Sequence, residues 1–155
     1  CGALIWIRAG VPFESTQVIA DKEDRYVVLE GRLDGKPLTI MSIYVLNHEQ
    51  VPFLAELSAQ MGIVTNEDIL IAGDFNCVAD ADLDRSTPPM PGAPTHKVAR
   101  GLKEWVDNWG LRDLWRAQNG QERDYSFYSS LYSLHIRLDK VYFSKQICHL
   151  VKHTE

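Results

Sequence analysis

The chain has 155 residues, of which 45% are hydrophobic and 24% are charged, and its formal net charge at pH 7 is −5. This length and composition predict one globular domain with a substantial core, and no run of about 18 apolar residues indicates a membrane-spanning helix. The negative charge argues against a protein that binds nucleic acid mainly through its overall charge, but it allows an enzyme with local basic groups.

The cysteines and the start of the chain favour an intracellular protein. Cys1, Cys77 and Cys148 form an odd set without regular spacing. Such a set argues against a disulfide framework and for a reducing compartment. The first residues form an apolar strand pattern and show no signal peptide. We therefore expect a protein without a membrane partner.

Strand patterns dominate the first third of the chain. Ala3–Arg8 is almost wholly apolar and predicts a strand buried on both faces, and Phe13–Ala20 predicts a weaker strand. Two β-rich runs follow, Arg25–Leu33 and Leu38–Val45. They are separated by Asp34–Gly35, a dipeptide typical of a tight antiparallel hairpin.

Two amphipathic patterns predict helices. The first runs from about Glu49 to Met61, and Asn47 is either its N-cap or a residue of a site. The second runs from Thr95, as N-cap, to Trp109. Apolar residues recur in both at spacings of three and four, which predicts core-facing stripes. The stripes are Phe53, Leu54, Leu57 and Met61 in the first helix, and Val98, Leu102, Trp105, Val106 and Trp109 in the second.

A buried strand that ends in polar residues is the first candidate for a functional site. Ile69–Ala72 is apolar and runs into Gly73, Asp74, Phe75 and Asn76. In an extended chain the Asp and Asn side chains share one side and Phe75 points to the other. A carboxylate and an amide placed so can orient a water and hold a phosphoryl oxygen or a metal. The alternative is a strand that simply ends in an Asx turn.

The acidic stretch after this strand does not form a calcium loop. Acids alternate along positions 80–84, but Arg85 stands where such a loop needs Gly and Pro91 stands where it needs Glu. Farther on, Leu111–Trp115 predicts a short connector turn and Tyr125–Ser129 predicts a strand.

The last strand pattern contains charged residues. In Ile136–Ser144, Arg137 and Asp139 would share one face of the strand. Either these two residues form a surface ion pair, or Asp139 is an acid of the functional site that needs a partner if buried.

Seven stretches of the chain form one set of motifs. They are Gly2–Ile7, Ser42–Asn47, Gly73–Asn76, Leu83–Ser86, Leu111–Arg116, Tyr125–Ser129 and Arg137–Val141. In this order they resemble the endonuclease/exonuclease/phosphatase superfamily and, within it, most of all the endonuclease domain of LINE-type retrotransposons. The set covers nearly the whole chain and is far more specific than Gly-Asp-Phe-Asn alone.

The resemblance implies an α/β fold and a nuclease. The fold would be part of a four-layered α/β/β/α sandwich with two mostly antiparallel sheets, and residues 1–155 would form a single partial domain that lacks its N-terminal and C-terminal strands. The activity would be a Mg²⁺-dependent phosphodiesterase that nicks DNA. The intact parent would carry a fused reverse transcriptase, and the domain would be a monomer located in the nucleus, the cytoplasm or both.

The resemblance also assigns roles to residues. Asp74 would align and activate the attacking water and contribute weakly to the metal site. Asn76 would help to hold the phosphate, and Tyr44 and Asn47 would contact the scissile phosphate. Asp139 would orient a histidine. These residue types suit in-line attack on a phosphodiester, which needs an oriented water, charge neutralisation and donors aimed at the phosphate oxygens.

Some parts of the family pattern find no match. A first-strand Asn and a metal-binding Glu would precede Cys1, and a Ser-Asp-His triplet would follow Glu155. Within the chain, Val45–Leu46 replaces the usual Ala-Pro, Ile136 replaces a Ser, and Lys140 stands where an aromatic residue is more usual. We therefore expect the chain as given to be inactive or nearly so.

Two alternatives stay open. The chain could belong to another enzyme of the superfamily, such as an apurinic-site nuclease or a phosphatase, although Leu83–Ser86 and Tyr125–Ser129 argue against this. It could also be a non-catalytic remnant of a degenerate retroelement copy, which the unmatched residues and Lys140 favour.

Overall fold

The structure, a computed structural model, describes the backbone of residues 2–150 and the side chains of residues 2–147. It is a mixed α/β fold, as predicted, with one six-stranded and one two-stranded sheet. Within this part of the chain, no helix is long and apolar enough to cross a membrane. The elements are β1 (Phe13–Ala20), β2 (Tyr26–Leu33), β3 (Lys36–Tyr44), α1 (Gln50–Met61), β4 (Ile69–Asp74), α2 (Pro94–Asn108), β5 (Leu111–Asp113), α3 (Leu114–Asn119), β6 (Phe127–Ser129), β7 (Leu134–Ile136), β8 (Asp139–Ser144) and a 3-10 helix (Lys145–Leu150).

The large sheet is mostly antiparallel. Its strand order is β1-β2-β3-β4-β8-β5, and β6 pairs with β7 in the small sheet. Among the neighbouring strands of both sheets, β3 and β4 are parallel and the others are antiparallel. The predicted hairpin is confirmed as β2–β3, with φ of 51° at Asp34 and 77° at Gly35. Both values lie in the left-handed region that tight hairpin turns require.

The core lies between the large sheet and two helices. One face of β3 is buried through Thr39, Met41 and Ile43, whereas the alternate residues are half-buried. The buried face packs against the apolar stripes of α1 and α2, which are confirmed. The half-buried face of β3 ends in Tyr44.

The helix starts differ from the prediction. The N-cap positions are Glu49 and Ala93, and neither makes a side-chain cap bond. Asn47 lies outside α1, and its carbonyl accepts a hydrogen bond from the Gln50 side chain at 2.6 Å. Thr95 lies inside the first turn of α2, because Pro94 is the first helical residue and its fixed φ suits that position.

The predicted strand Ala3–Arg8 is wrong. The segment has no strand assignment, and Leu4 and Trp6 are 78% and 86% exposed. The Ala3 amide donates to the Asp24 carbonyl at 2.7 Å, which lies in the turn between β1 and β2. A strand is defined by a ladder with a neighbour, so an apolar pattern alone does not create one.

Two segments near the end of the chain are also corrected. Leu111–Trp115 is not a connector turn: β5 pairs with β8, and Asp113 then caps α3 by accepting from the Arg116 amide at 3.0 Å. The predicted strand Ile136–Ser144 is divided into the end of β7 and β8, and Arg137, which lies between them, is only 6% exposed. The predicted strand Tyr125–Ser129 begins two residues later, as β6.

Gly73 is required by the close approach of β3 and β4. Its φ is 150°, and a Cβ added there would overlap the carbonyl of Ile43 on the neighbouring strand. Gly73 lies within β4 and allows that strand to lie against β3.

We expect Gly73→Ala to destabilise the fold. The added methyl must push β3 and β4 apart, which should lower the free energy of unfolding by about 1–3 kcal/mol or more, measured by urea denaturation. Gly62→Ala is the control, because its nearest neighbours would be 3.5 Å away, and it should change stability by no more than about 0.5 kcal/mol. Equal stability of the two variants would contradict the close approach.

Candidate active site

Strand register places three of the predicted residues in one row. Tyr44 pairs with Asp74 across the parallel β3 and β4, and Asp74 pairs with Asp139 across the antiparallel β4 and β8. Side chains of directly opposed residues project from the same face, with Cβ atoms about 5 Å apart. Tyr44, Asp74 and Asp139 therefore lie side by side at one end of the sheet, although 30 and 65 residues separate them along the chain.

The turn after β4 holds Asn76 in a fixed position. The Asp74 Oδ1 accepts from the Asn76 backbone N–H at 2.8 Å, and Asn76 has a φ of 45°. The Asn76 Nδ2 donates to the Val45 carbonyl at 2.6 Å. Phe75 is completely buried and packs edge-on against Tyr142. The strand thus does end in an Asx turn, and this turn also presents both polar side chains to the same cleft.

A cleft of about 760 Å³ brings together four of the five predicted site residues. The fifth, Asp139, lines an adjacent cavity of about 340 Å³ with Gly73 and Trp115. The sequence did not single out the other residues of the larger cleft as site residues. Its lining is Tyr44, Asn47, Asp74, Asn76, Arg85, Thr87, Pro88, Phe127, Ser129, Tyr132, Leu134, Ile136 and Leu138.

The environment of Asp74 shifts the pKa of its carboxyl. Partial burial raises the pKa of its carboxyl above the usual value of 3.8, and the negative charge of Asp139 raises it further. The hydrogen bond from the Asn76 amide and the charge of Lys140 act in the opposite direction but do not cancel the rise. A carboxylate with a raised pKa accepts a proton more readily, as a general base must.

The two carboxylates of the row suit a divalent cation that keeps some of its water. The described residues contain no group of three His, Cys, Asp or Glu side chains that could enclose a metal. Mg²⁺ does not need such a group, because it commonly binds one or two carboxylates together with water and phosphate oxygens. Asp139 contributes to the raised pKa of Asp74 by charge repulsion, and a divalent cation held by these carboxylates would relieve that repulsion.

A buried ion-pair network supports the loop that follows β4. Asp84 is fully buried, and its Oδ1 accepts from Arg116 Nη2 at 2.7 Å and from Arg137 Nε at 2.9 Å. Its Oδ2 accepts from the backbone amides of Ala79 and Asp80. Burial alone would raise the pKa of Asp84, but the charges of Arg137 and Lys140 and these hydrogen bonds hold it below its usual value.

Of the two alternatives for Arg137 and Asp139, the surface ion pair between them is excluded. Arg137 Nη2 binds Asp113 Oδ2 at 2.6 Å, and its Nε binds Asp84, so both ends of the guanidinium face carboxylates on other segments. Asp139 is exposed instead. The Leu-Asp-Arg-Ser motif contained Asp84, but nothing in its local pattern distinguished a buried carboxylate from a surface one.

The Lys140 side chain connects the turn that contains Asn76 to the break between β7 and β8. It is 3% exposed, and its Nζ donates to the carbonyls of Cys77 at 2.8 Å and Arg137 at 2.7 Å. Burial lowers the pKa of Lys140 to about 8. Cys77 is a buried free thiol whose pKa burial raises to about 11; the side chains of Cys1 and Cys148 lie outside the described residues.

Comparison with known proteins places this geometry in a family context. Residues 2–148 match the Endonuclease/Exonuclease/phosphatase family. Among solved structures, a 3′ phosphatase, NExo from Neisseria bound to a product DNA hairpin, is 18% identical with a TM-score of 0.67, over 91% of this chain and 63% of that chain.

Two further solved structures share the fold. The endonuclease domain of TRAS1, a telomere-specific non-LTR retrotransposon, is 15% identical with a TM-score of 0.60, over 88% of this chain and 59% of that chain. The AP endonuclease LMAP from Leishmania major is 18% identical with a TM-score of 0.58, over 83% of this chain and 48% of that chain. This chain therefore spans about half to two thirds of the length of these structures.

We expect Asp139→Asn to lower the pKa of Asp74. The substitution removes the neighbouring negative charge that contributes to the raised value. The pKa is read from the pH dependence of the ¹³C carboxyl shift of Asp74, which does not require activity. Asp34→Asn, in the distant β2–β3 turn, is the control and should leave the titration unchanged. An unchanged pKa in Asp139→Asn would mean that the two carboxylates do not interact.

We expect Asp84→Asn to be strongly destabilising. It leaves Arg116 and Arg137 without their shared buried anion, which should cost about 3–5 kcal/mol in urea denaturation. Asp82→Asn, an exposed position in the same loop, should change stability by no more than about 0.5 kcal/mol. Similar stabilities for the two variants would show that the network contributes little.

Proposed function

This chain belongs to the endonuclease/exonuclease/phosphatase family, whose members include hydrolases that act on phosphodiester bonds, and we propose that its cleft binds DNA and cleaves a phosphodiester with Mg²⁺. The observation that carries the proposal is the placement of Tyr44, Asp74 and Asp139 in one row, with Asn47 and Asn76 lining the same cleft as Tyr44 and Asp74.

Four residues of the cleft have a chemical task in this proposal. Asp74 orients the attacking water and accepts its proton, for which its raised pKa is suited. Asn76 uses one Nδ2–H on the Val45 carbonyl and has a second N–H for a phosphate oxygen. Tyr44 and Asn47 donate to the other phosphate oxygens. As the water attacks, the P–O bond to the leaving oxygen breaks, and a bound Mg²⁺ would supply neutralisation of the charge that develops on the phosphate and on that oxygen.

We further propose that the parent protein is a LINE-type retrotransposon in which this domain nicks target DNA for a fused reverse transcriptase, in the nucleus or the cytoplasm. Support comes from the set of seven motifs and from the shared fold with the TRAS1 endonuclease domain. Asp139 would then orient a histidine of the longer protein.

Plasmid nicking tests the proposal. Supercoiled DNA is incubated with Mg²⁺ or with a chelator, using this chain and a longer chain that carries the family's flanking Glu and His motifs. We expect the longer chain to nick DNA and this chain to show little or no activity. Asp74→Asn should reduce nicking by several orders of magnitude, and the control Asp34→Asn should not.

The substrate panel separates the alternatives. Intact duplex, duplex with an apurinic site and an oligonucleotide with a 3′ phosphate distinguish a target-nicking enzyme from an apurinic-site nuclease and a 3′ phosphatase. Absence of cleavage by both chains on all three substrates would overturn the enzymatic proposal and favour a non-catalytic remnant. Cleavage that is unaffected by Asp74→Asn would overturn the assignment of the water-activating group.

A further inference from the structure

A second cavity continues from the cleft. It measures about 420 Å³ and adds polar side chains from the first turns of α1 and α2, among them Gln50 and Thr95. A substrate that fills the cleft therefore has room to extend into this second cavity. Five residues line both cavities: Asn47, Asn76, Arg85, Ile136 and Leu138.

Arg85 brings an uncommitted positive charge to this junction. In the described part of the chain, the neighbouring Arg116 and Arg137 pair with carboxylates, whereas Arg85 takes part in no ion pair. Its Nε donates to the Thr87 carbonyl at 3.3 Å, which leaves its Nη donors for a ligand. Among the described residues that line the two cavities, Arg85 is the one arginine or lysine, and it lines both.

The backbone around Arg85 is held from several sides. The preceding residue, Asp84, is the centre of the buried network, and its carbonyl accepts from the Arg137 amide at 2.9 Å. The Arg85 carbonyl accepts from Arg123 Nη1 at 3.1 Å, and Arg85 forms an isolated β-bridge with Ile136. Because the backbone is fixed, only the side-chain torsions of Arg85 have to be ordered when the guanidinium binds a ligand.

We propose that Arg85 binds the DNA phosphate next to the scissile phosphate, and that the second cavity accommodates the nucleotide on that side. This inference rests on the proposed function. A guanidinium with free donors in a polar cavity is suited to bidentate phosphate binding. In a chain of net charge −5, such a local cation is needed to hold a polyanion against the general repulsion.

DNA binding by the unmodified chain and its variants tests the inference. A fluorescein-labelled duplex is titrated in fluorescence anisotropy over a series of KCl concentrations without divalent metal. Loss of one phosphate contact in Arg85→Gln should weaken binding about tenfold. It should also make the negative slope of log K against log salt shallower by about 0.9. Arg85→Lys should restore the slope while binding more weakly than Arg85, because an ammonium does not form the bidentate contact.

The matched control is Arg32→Gln. Arg32 is exposed and pairs with Pro37 at the opposite end of the sheet from Tyr44, roughly 23 Å away along β3. The variant removes the same charge as Arg85→Gln, but far from the cleft. Both the affinity and the slope should therefore stay at their original values. A loss equal to that of Arg85→Gln would indicate only a general effect of net charge and would overturn the inference.

The remaining outcomes distinguish a failure of this inference from a failure of the proposed function. If the unmodified chain binds no DNA at any salt concentration, the proposed function fails and the inference fails with it. If the chain binds DNA but Arg85→Gln keeps the original slope, the proposed function stands and the phosphate contact of Arg85 is overturned. A reduced affinity with an unchanged slope would also overturn the phosphate contact, because it would indicate that Arg85 acts through the structure of the fold.

Discussion

The parallel pairing of β3 with β4 is the constraint on which the candidate site depends. It needs the absence of a side chain at Gly73, because the carbonyl of Ile43 occupies the space that a Cβ would take. Once the two strands lie together, their register sets Tyr44 opposite Asp74. A shift by one residue would turn the side chains of β4 to the other face and would bury Asp74 against the helices. The geometry of the site is therefore a consequence of backbone packing within the sheet.

Around this row, buried charges hold loops that have no regular structure of their own. Asp84 joins two arginines and two backbone amides, and Lys140 joins the carbonyls on both sides of the turn and the strand break. Such groups are costly to bury and become strongly destabilising if one partner is lost. Here Asp84 and Lys140 hydrogen-bond directly to backbone groups of the loops. The cleft is thus lined by loops whose positions depend on ion pairs outside the cleft.

Local sequence patterns predicted those elements that are determined by residues close together in the chain. The Asp34–Gly35 hairpin and the apolar stripes of α1 and α2 follow from turn chemistry and helical period, and they are found as predicted. The strand Ala3–Arg8 was wrong because an apolar pattern does not reveal whether a ladder partner exists. The partners of Arg137 could not be predicted, since Asp84 and Asp113 lie 53 and 24 residues away along the chain. The roles of Tyr44, Asn47 and Asp139 came from family resemblance rather than from spacing.

The arginines near the cleft show how an acidic chain can present a basic group to a polyanion. Arg116 and Arg137 are neutralised by Asp84 and Asp113, and both guanidiniums lie over the ring of Trp115, at 4.8 and 5.5 Å from its centre. Their charges are therefore used within the fold and contribute little field to the solvent. Arg85 follows directly after Asp84 in the chain. Asp84, which pairs with two arginines in the interior, therefore also fixes the position of Arg85 at the cleft. Net charge by itself would have argued against nucleic acid, whereas this division of charges between the interior and the cleft removes that objection.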